Sequence, residues 1–147
     1  MVFLYAERAE GLPATKLKWA RLSLNPLEFG EFKEVTYEAV DPVGKGARPI
    51  VALAVDTDGF IYSVSVYDSG DDDGPFRSVV WRIGKMIADE KGNPQVELSE
   101  GKRLATLDGL KVESIAVRES DKTGKQVYIG TDDEHYGGTI RLLPSVP

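Results

Sequence analysis

Along most of this chain apolar residues alternate with polar ones at period two, in short runs bounded by Gly, Pro and Asp clusters, which is the signature of half-buried β-strands. The pattern predicts ten strands, over 2–6, 17–24, 34–39, 50–55, 60–67, 77–83, 102–107, 112–117, 126–131 and 138–143. β-Branched and aromatic residues crowd the central runs, with Ile61, Tyr62, Val64 and Val66 in one and Val79, Val80 and Trp81 in the next. Turn signals separate them: Asp58-Gly59, Asp73-Gly74-Pro75, Lys91-Gly92-Asn93-Pro94, Asp108-Gly109 and Lys122-Thr123-Gly124. A sustained helical period is absent, and only 25–30 suggests a short turn of helix.

The pattern also repeats. Pro49-Ile50-Val51-Ala52-Leu53-Ala54-Val55, a turn and Ile61-Tyr62-Ser63-Val64-Ser65 align with Lys111-Val112-Glu113-Ser114-Ile115-Ala116-Val117, a turn and Val127-Tyr128-Ile129-Gly130-Thr131, at an offset of about 62 to 66 residues. Both copies run through an acidic loop into a further strand. A partial copy opens the chain, where Trp19-Ala20-Arg21-Leu22 echoes Val80-Trp81-Arg82-Ile83. The full unit is four antiparallel strands, inner, second, third and outer, and repeated four-stranded sheets are the material of β-propeller blades. Ala52, Ala54, Ser114 and Ala116 then have a reason to be small, because strands beside a propeller axis are crowded.

With Leu110-Lys111-Val112-Glu113-Ser114-Ile115-Ala116-Val117, Tyr128-Ile129-Gly130-Thr131-Asp132-Asp133-Glu134 and Gly137-Gly138, the stretch from Arg48 to Pro144 resembles the six-bladed propeller superfamily of lactonase-like and esterase- or phytase-like proteins. The resemblance implies an all-β fold of antiparallel four-stranded blades: one domain over 1–147, with units at approximately 1–47, 48–109 and 110–147. That is about two and two-thirds blades, where rings close with four to eight. Three arrangements fit: a fragment of a longer protein, two or more copies closing a ring as a homo-oligomer, or an open sheet array.

Charge narrows the partners. With 18 Lys and Arg against 24 Asp and Glu, the net charge of −6 argues against nucleic acid or an anionic membrane. No cysteine is present for a thiol nucleophile or zinc–thiolate site, and there is one histidine. The chain start lacks the basic lead of a signal peptide, and no apolar run approaches the ~18 residues of a membrane span. The expectation is a soluble chain.

Candidate chemistry sits in the acidic loops. Asp68, Asp71, Asp72 and Asp73 place four carboxylates within six positions, and Asp132, Asp133 and Glu134 take the equivalent place in the next unit. Calcium is the cation such loops would hold, since it takes six to eight oxygens. The helix–loop–helix calcium pattern fails, because Ser69 and Val80 would occupy its first and last ligand positions, and Asp and Gly also favour solvated turns for their own sake. Glu113 stands among apolar residues near the start of an inner strand, where desolvation suits a carboxylate to acid–base work or metal ligation. The resemblance implies a divalent-metal ligand there, completed by Asn and Asp from other blades; otherwise Glu113 pairs with Lys111 or Arg118 or faces solvent. His135 has a carboxylate neighbour but no nucleophile to activate, and Gly-x-Ser-x-Gly is absent. Gly44-Lys45-Gly46 and Gly101-Lys102-Arg103 do not form a phosphate loop. Trp19 and Trp81 read as matching third-strand residues that pack between blades. The function expected is therefore a non-catalytic binding or interaction module. The alternative is a divalent-metal-dependent hydrolase using Glu113 with acidic residues such as Asp133.

Overall fold

The computed structural model describes residues 1–120 and 124–144. Among them lie eleven strands and one 3-10 turn, so the chain is all-β with antiparallel pairing. The strands are β1 (Val2–Ala6), β2 (Ala14–Leu24), β3 (Leu27–Phe29), β4 (Lys33–Glu38), β5 (Ala47–Val55), β6 (Phe60–Asp68), β7 (Phe76–Ala88), β8 (Pro94–Asp108), β9 (Val112–Ser120), β10 (Gly124–Thr131) and β11 (Ile140–Leu142). The 3-10 turn, Glu134–Tyr136, precedes β11.

All ten strands predicted from the hydrophobic period are present, several longer than expected. β7 and β8 extend past the buried stretch into a hairpin whose tip is the Lys91-Gly92-Asn93-Pro94 turn. Asp89 closes that tip: its carboxylate accepts the Lys91 N–H at 2.9 Å and the Asn93 N–H at 2.7 Å. The 25–30 segment is not helical. Asn25-Pro26 turns the chain and β3 folds back on the end of β2, with Leu22 opposite Phe29 and Leu24 opposite Leu27. The Lys122-Thr123 part of the last predicted turn lies outside the described residues.

Pairing follows sequence order. The first sheet sets β2 between β1 and β4, with β3 on the far end of β2; the second runs β5-β6-β7-β8; the third runs β9-β10-β11. The exception is β4, which pairs with β2 rather than with β3; the other paired strands are consecutive in the chain, which antiparallel pairing permits. The turns need glycine where backbones nearly touch. Gly46, at φ +90°, approaches the Asp68 carbonyl so closely that a Cβ there would lie 2.2 Å from the oxygen.

The sheets stack face to face, with the second in the middle. Leu4, Leu17, Val35 and Tyr37 of the first sheet meet Ile50, Ile61, Val79, Trp81 and Ile83 of the second. On the other face Tyr62, Val64, Val66 and Val80 meet Val112, Val127, Ile129 and Leu143. Successive residues of β6 and β7 therefore serve opposite interfaces, as the pleat requires, and the β6 interior from Ile61 to Val66 is wholly buried. Trp19 and Trp81 both pack between sheets, as expected, but not as matching residues. Trp81 reaches from the middle sheet toward the first, and Trp19 reaches back from the first, its indole N–H donating to the Pro94 carbonyl at 2.8 Å.

Candidate functional site

The predicted site residues lie at one end of the stack, where β5 and β9 begin and β6 and β10 finish, but on separate partners. Asp68 is the last residue of β6 and only 10% of its side chain is exposed. One carboxylate oxygen accepts the Gly70 N–H at 2.8 Å, and the other lies 3.2 Å from the Arg48 guanidinium and 3.1 Å from the Lys111 ammonium. Burial opposes ionisation of Asp68, but the Gly70 N–H, Lys111 and Arg48 outweigh it and hold the carboxyl below its ordinary range. Lys111 is buried as well and also pairs with Glu134. Desolvation works against its charge, yet the two carboxylates push its pKa up.

Glu113 is reached by a cation that the sequence does not announce. Its carboxylate lies 3.4 Å from Arg48, on the first strand of the middle sheet, while the Lys111 suggested as partner turns instead to Asp68 and Glu134. Glu10, from the β1–β2 loop, approaches the same guanidinium at 3.6 Å. One arginine is thus shared by carboxylates from all three sheets or their loops. Beside it opens a cavity of about 200 Å³ lined by Ala6, Arg8, Arg48, Ile50, Val51 and Glu113.

Asp133 is buried and its oxygens are used by the chain: one accepts the Lys111 N–H at 2.7 Å and the other the Thr131 hydroxyl at 2.7 Å. It ties the exit of β10 to the entry of β9. Asp132 is exposed, and its backbone N–H donates to the Lys111 carbonyl. Asp71 and Asp73 stand on the β6–β7 loop, where the Asp71 carboxylate accepts the Asp73 N–H at 3.0 Å. The two acidic loops are neighbours in space. His135, on the 3-10 turn, lies 3.5 Å from Asp72 and 3.4 Å from Asp73.

The six carboxylates proposed as ligands are therefore not brought together. Asp68 and Glu113 converge on Arg48, Asp133 is spent on the backbone, and Asp71, Asp73 and Asp132 project from loops. Among the described residues no group of three or more carboxylate or histidine side chains is placed to hold an ion. The donor chemistry that a calcium ion needs is occupied by Arg48, Lys111 and backbone N–H groups, so these residues do not fit that cation as they stand. Sequence reasoning overlooked Arg48 and Glu10. The available signal was an arginine directly ahead of an apolar inner strand, level with an acidic strand exit.

Comparisons of the chain with protein-family models, with curated proteins and with solved structures find no match.

Proposed function

We propose that this chain is a non-catalytic binding or interaction module built of propeller-type blades, with its binding surface at the charged end where Arg48 and Glu113 border the 200 Å³ cavity. The observation that carries the reading is the way the acidic residues are used. Asp68 and Glu113 face a shared arginine, and Asp133 fixes a turn, so the end of the stack is an organised polar surface without an open carboxylate cage. The strand order supports the blade reading: the middle sheet runs inner to outer in sequence, and the flanking sheets carry second-to-outer and inner-to-third strands. The hydrolase alternative draws no comparable support, since its metal would have to displace Arg48 from Glu113.

Melting the protein with millimolar calcium and again with a chelator tests the choice, because an ion that binds only the folded chain raises the midpoint. The expected result is no shift, together with no calcium-dependent hydrolysis of a lactone or phosphate-ester substrate. A rise that Glu113→Gln abolishes, accompanied by turnover, would overturn the module reading in favour of the hydrolase.

Ring closure by a second copy belongs to the same proposal. Phe3 and Tyr5 alternate with the inward Leu4 and Ala6, and with Phe29 and Phe32 they form an aromatic cluster, exposed at the three phenylalanines and half-buried at Tyr5, with ring centroids 5.3–6.5 Å apart. Light scattering decides it: a mass of twice 16.1 kDa supports a ring shared between copies, and a mass of 16.1 kDa removes the shared ring.

A further inference from the structure

The opposite end of the middle sheet carries a different charge arrangement. Phe60 opens β6, and three cations pack against its ring: the Arg82 guanidinium 4.7 Å, the Lys85 ammonium 4.9 Å and the Lys125 ammonium 5.1 Å from the centroid. Residues 82 and 85 are an odd number apart and would face opposite sides of a regular strand. A β-bulge prevents this. Arg82 sits opposite Tyr62 and Gly84 opposite Ile61, which leaves Ile83 without a partner on β6, and Lys85 falls opposite Phe60. Phe60 and Tyr62 are two apart and share a face, so the bulge delivers both cations to it. On the other side of β7 the register slips again: Arg82 pairs with Lys102 and Gly84 with Leu98, so 99–101 bow away from the sheet. The two irregularities frame a cavity of about 240 Å³ lined by Phe60, Arg82, Gly84, Lys85, Glu97, Leu98, Ser99, Glu100 and Lys102.

The cations differ in what satisfies them. Lys125 is bound to Asp56 at 2.7 Å and to Asp58. Among the described residues Arg82 and Lys85 meet no carboxylate at ion-pair distance and no hydrogen-bond acceptor. Two half-buried cations on one ring repel each other, and the ring's negative face offsets only part of that. An acidic protein of net charge −6 has carboxylates to spare, yet here Glu97 and Glu100 line the cavity without pairing with either. An arginine fork beside a lysine point charge suits a tetrahedral oxyanion, since both are multiple donors that accept nothing. Ser99 also lines the cavity and carries a hydroxyl. The cavity is open to solvent on one side and of a size for a small molecule, and the net negative charge turns away polyanions.

We propose that Arg82 and Lys85, aligned by the Ile83 bulge, bind the phosphoryl group of a small phosphate compound in the cavity between β7 and β8. This site lies apart from the Arg48–Glu113 end and stands whether or not that surface binds a ligand.

The test follows backbone amide resonances of the whole chain while inorganic phosphate, glycerol 3-phosphate or, at matched ionic strength, sodium chloride is added. The expected result is saturable shifts at Gly84, Lys85 and Ser99 with half-saturation near ~1 mM, weakened about tenfold or more in Arg82→Gln and in Lys85→Gln. Lys16→Gln, on the first sheet beside Glu34, is expected to leave them unchanged. Tighter binding of glycerol 3-phosphate assigns the site to an ester, and tighter binding of phosphate assigns it to the free anion. Two variants are used so that loss of fold in one leaves the other to decide. Shifts that grow without saturating, that chloride reproduces, or that persist in both variants overturn the proposal.

Discussion

The two interfaces of the stack solve the same problem with different chemistry. Between the first and middle sheets the polar atoms are inside: the Trp81 indole N–H donates to the Ser65 hydroxyl at 2.9 Å, which donates to the Asp41 carbonyl at 2.6 Å. The Asp41 carboxylate is held by Arg77 and Arg103, each at 3.0 Å. Between the middle and third sheets the centre is mostly aliphatic, built from Val64, Val66, Val80, Val127 and Ile129; one buried hydroxyl, Ser78, donates to the Leu110 carbonyl and accepts the Val112 N–H, and the charges stand at the rim as Arg48, Asp68 and Lys111. Burying a polar atom is tolerable only when it is bonded, so an interface with polar groups inside must fix their geometry. An interface with charges at its rim leaves its response to pH and salt at the edge.

Truncating Trp81 should break the first interface hardest: Trp81→Ala is expected to cost about 3–5 kcal/mol in urea unfolding, through lost burial and an unfilled space. Asp68→Asn attacks the rim of the second and should cost about 3 kcal/mol near neutral pH, because Arg48 and Lys111 lose a shared, mostly buried partner. Its signature is in the pH dependence. The folded Asp68 carboxyl titrates below its unfolded value, so its contribution is present above the unfolded pKa and vanishes as pH falls through the folded one. Wild type and Asp68→Asn should therefore converge in acid, whereas wild type and Trp81→Ala should stay apart. Ser65→Ala is smaller, about 1–3 kcal/mol, for leaving the Trp81 N–H without its buried acceptor. Phe3→Ser, on the exposed face of the first sheet, should change stability by no more than about 0.5 kcal/mol. A larger loss would give that face a buried role in a dimer.

The strands were legible because period two is local: each run carries its own alternation, and Gly, Pro and Asp mark the ends. The extra hairpin of β7 and β8 was less so: Val96 and Leu98 alternate with Gln95, Glu97 and Ser99 and pack on the first core cluster, but the alternation is only two apolar residues long and stops at Glu100-Gly101. The β2–β3 turn reads in the sequence as no more than a suggested turn of helix, because Leu27 and Phe29 are too few to show any period. The site was legible as a list of carboxylates, not as an arrangement. Arg48 meets Asp68 across 20 positions and Glu113 across 65, and only register and stacking bring such groups together. The Ile83 bulge was hidden for a related reason. It is a mismatch in count between two paired strands, and neither strand carries it alone.

The order of the layers has a consequence for how the molecule comes apart. One hydrophobic cluster joins the first sheet to the middle one, another joins the middle to the third, and neither includes residues from both outer sheets. Such a stack behaves as a short one-dimensional chain of coupled units, in which an end unit lets go by losing one neighbour and the central unit only by losing two. Amide protons of β6 and β7 should accordingly exchange with solvent only in global unfolding. Those of β1 and β11 should escape through cheaper openings of a single layer, so a gradient of exchange would trace the stack from its faces to its heart.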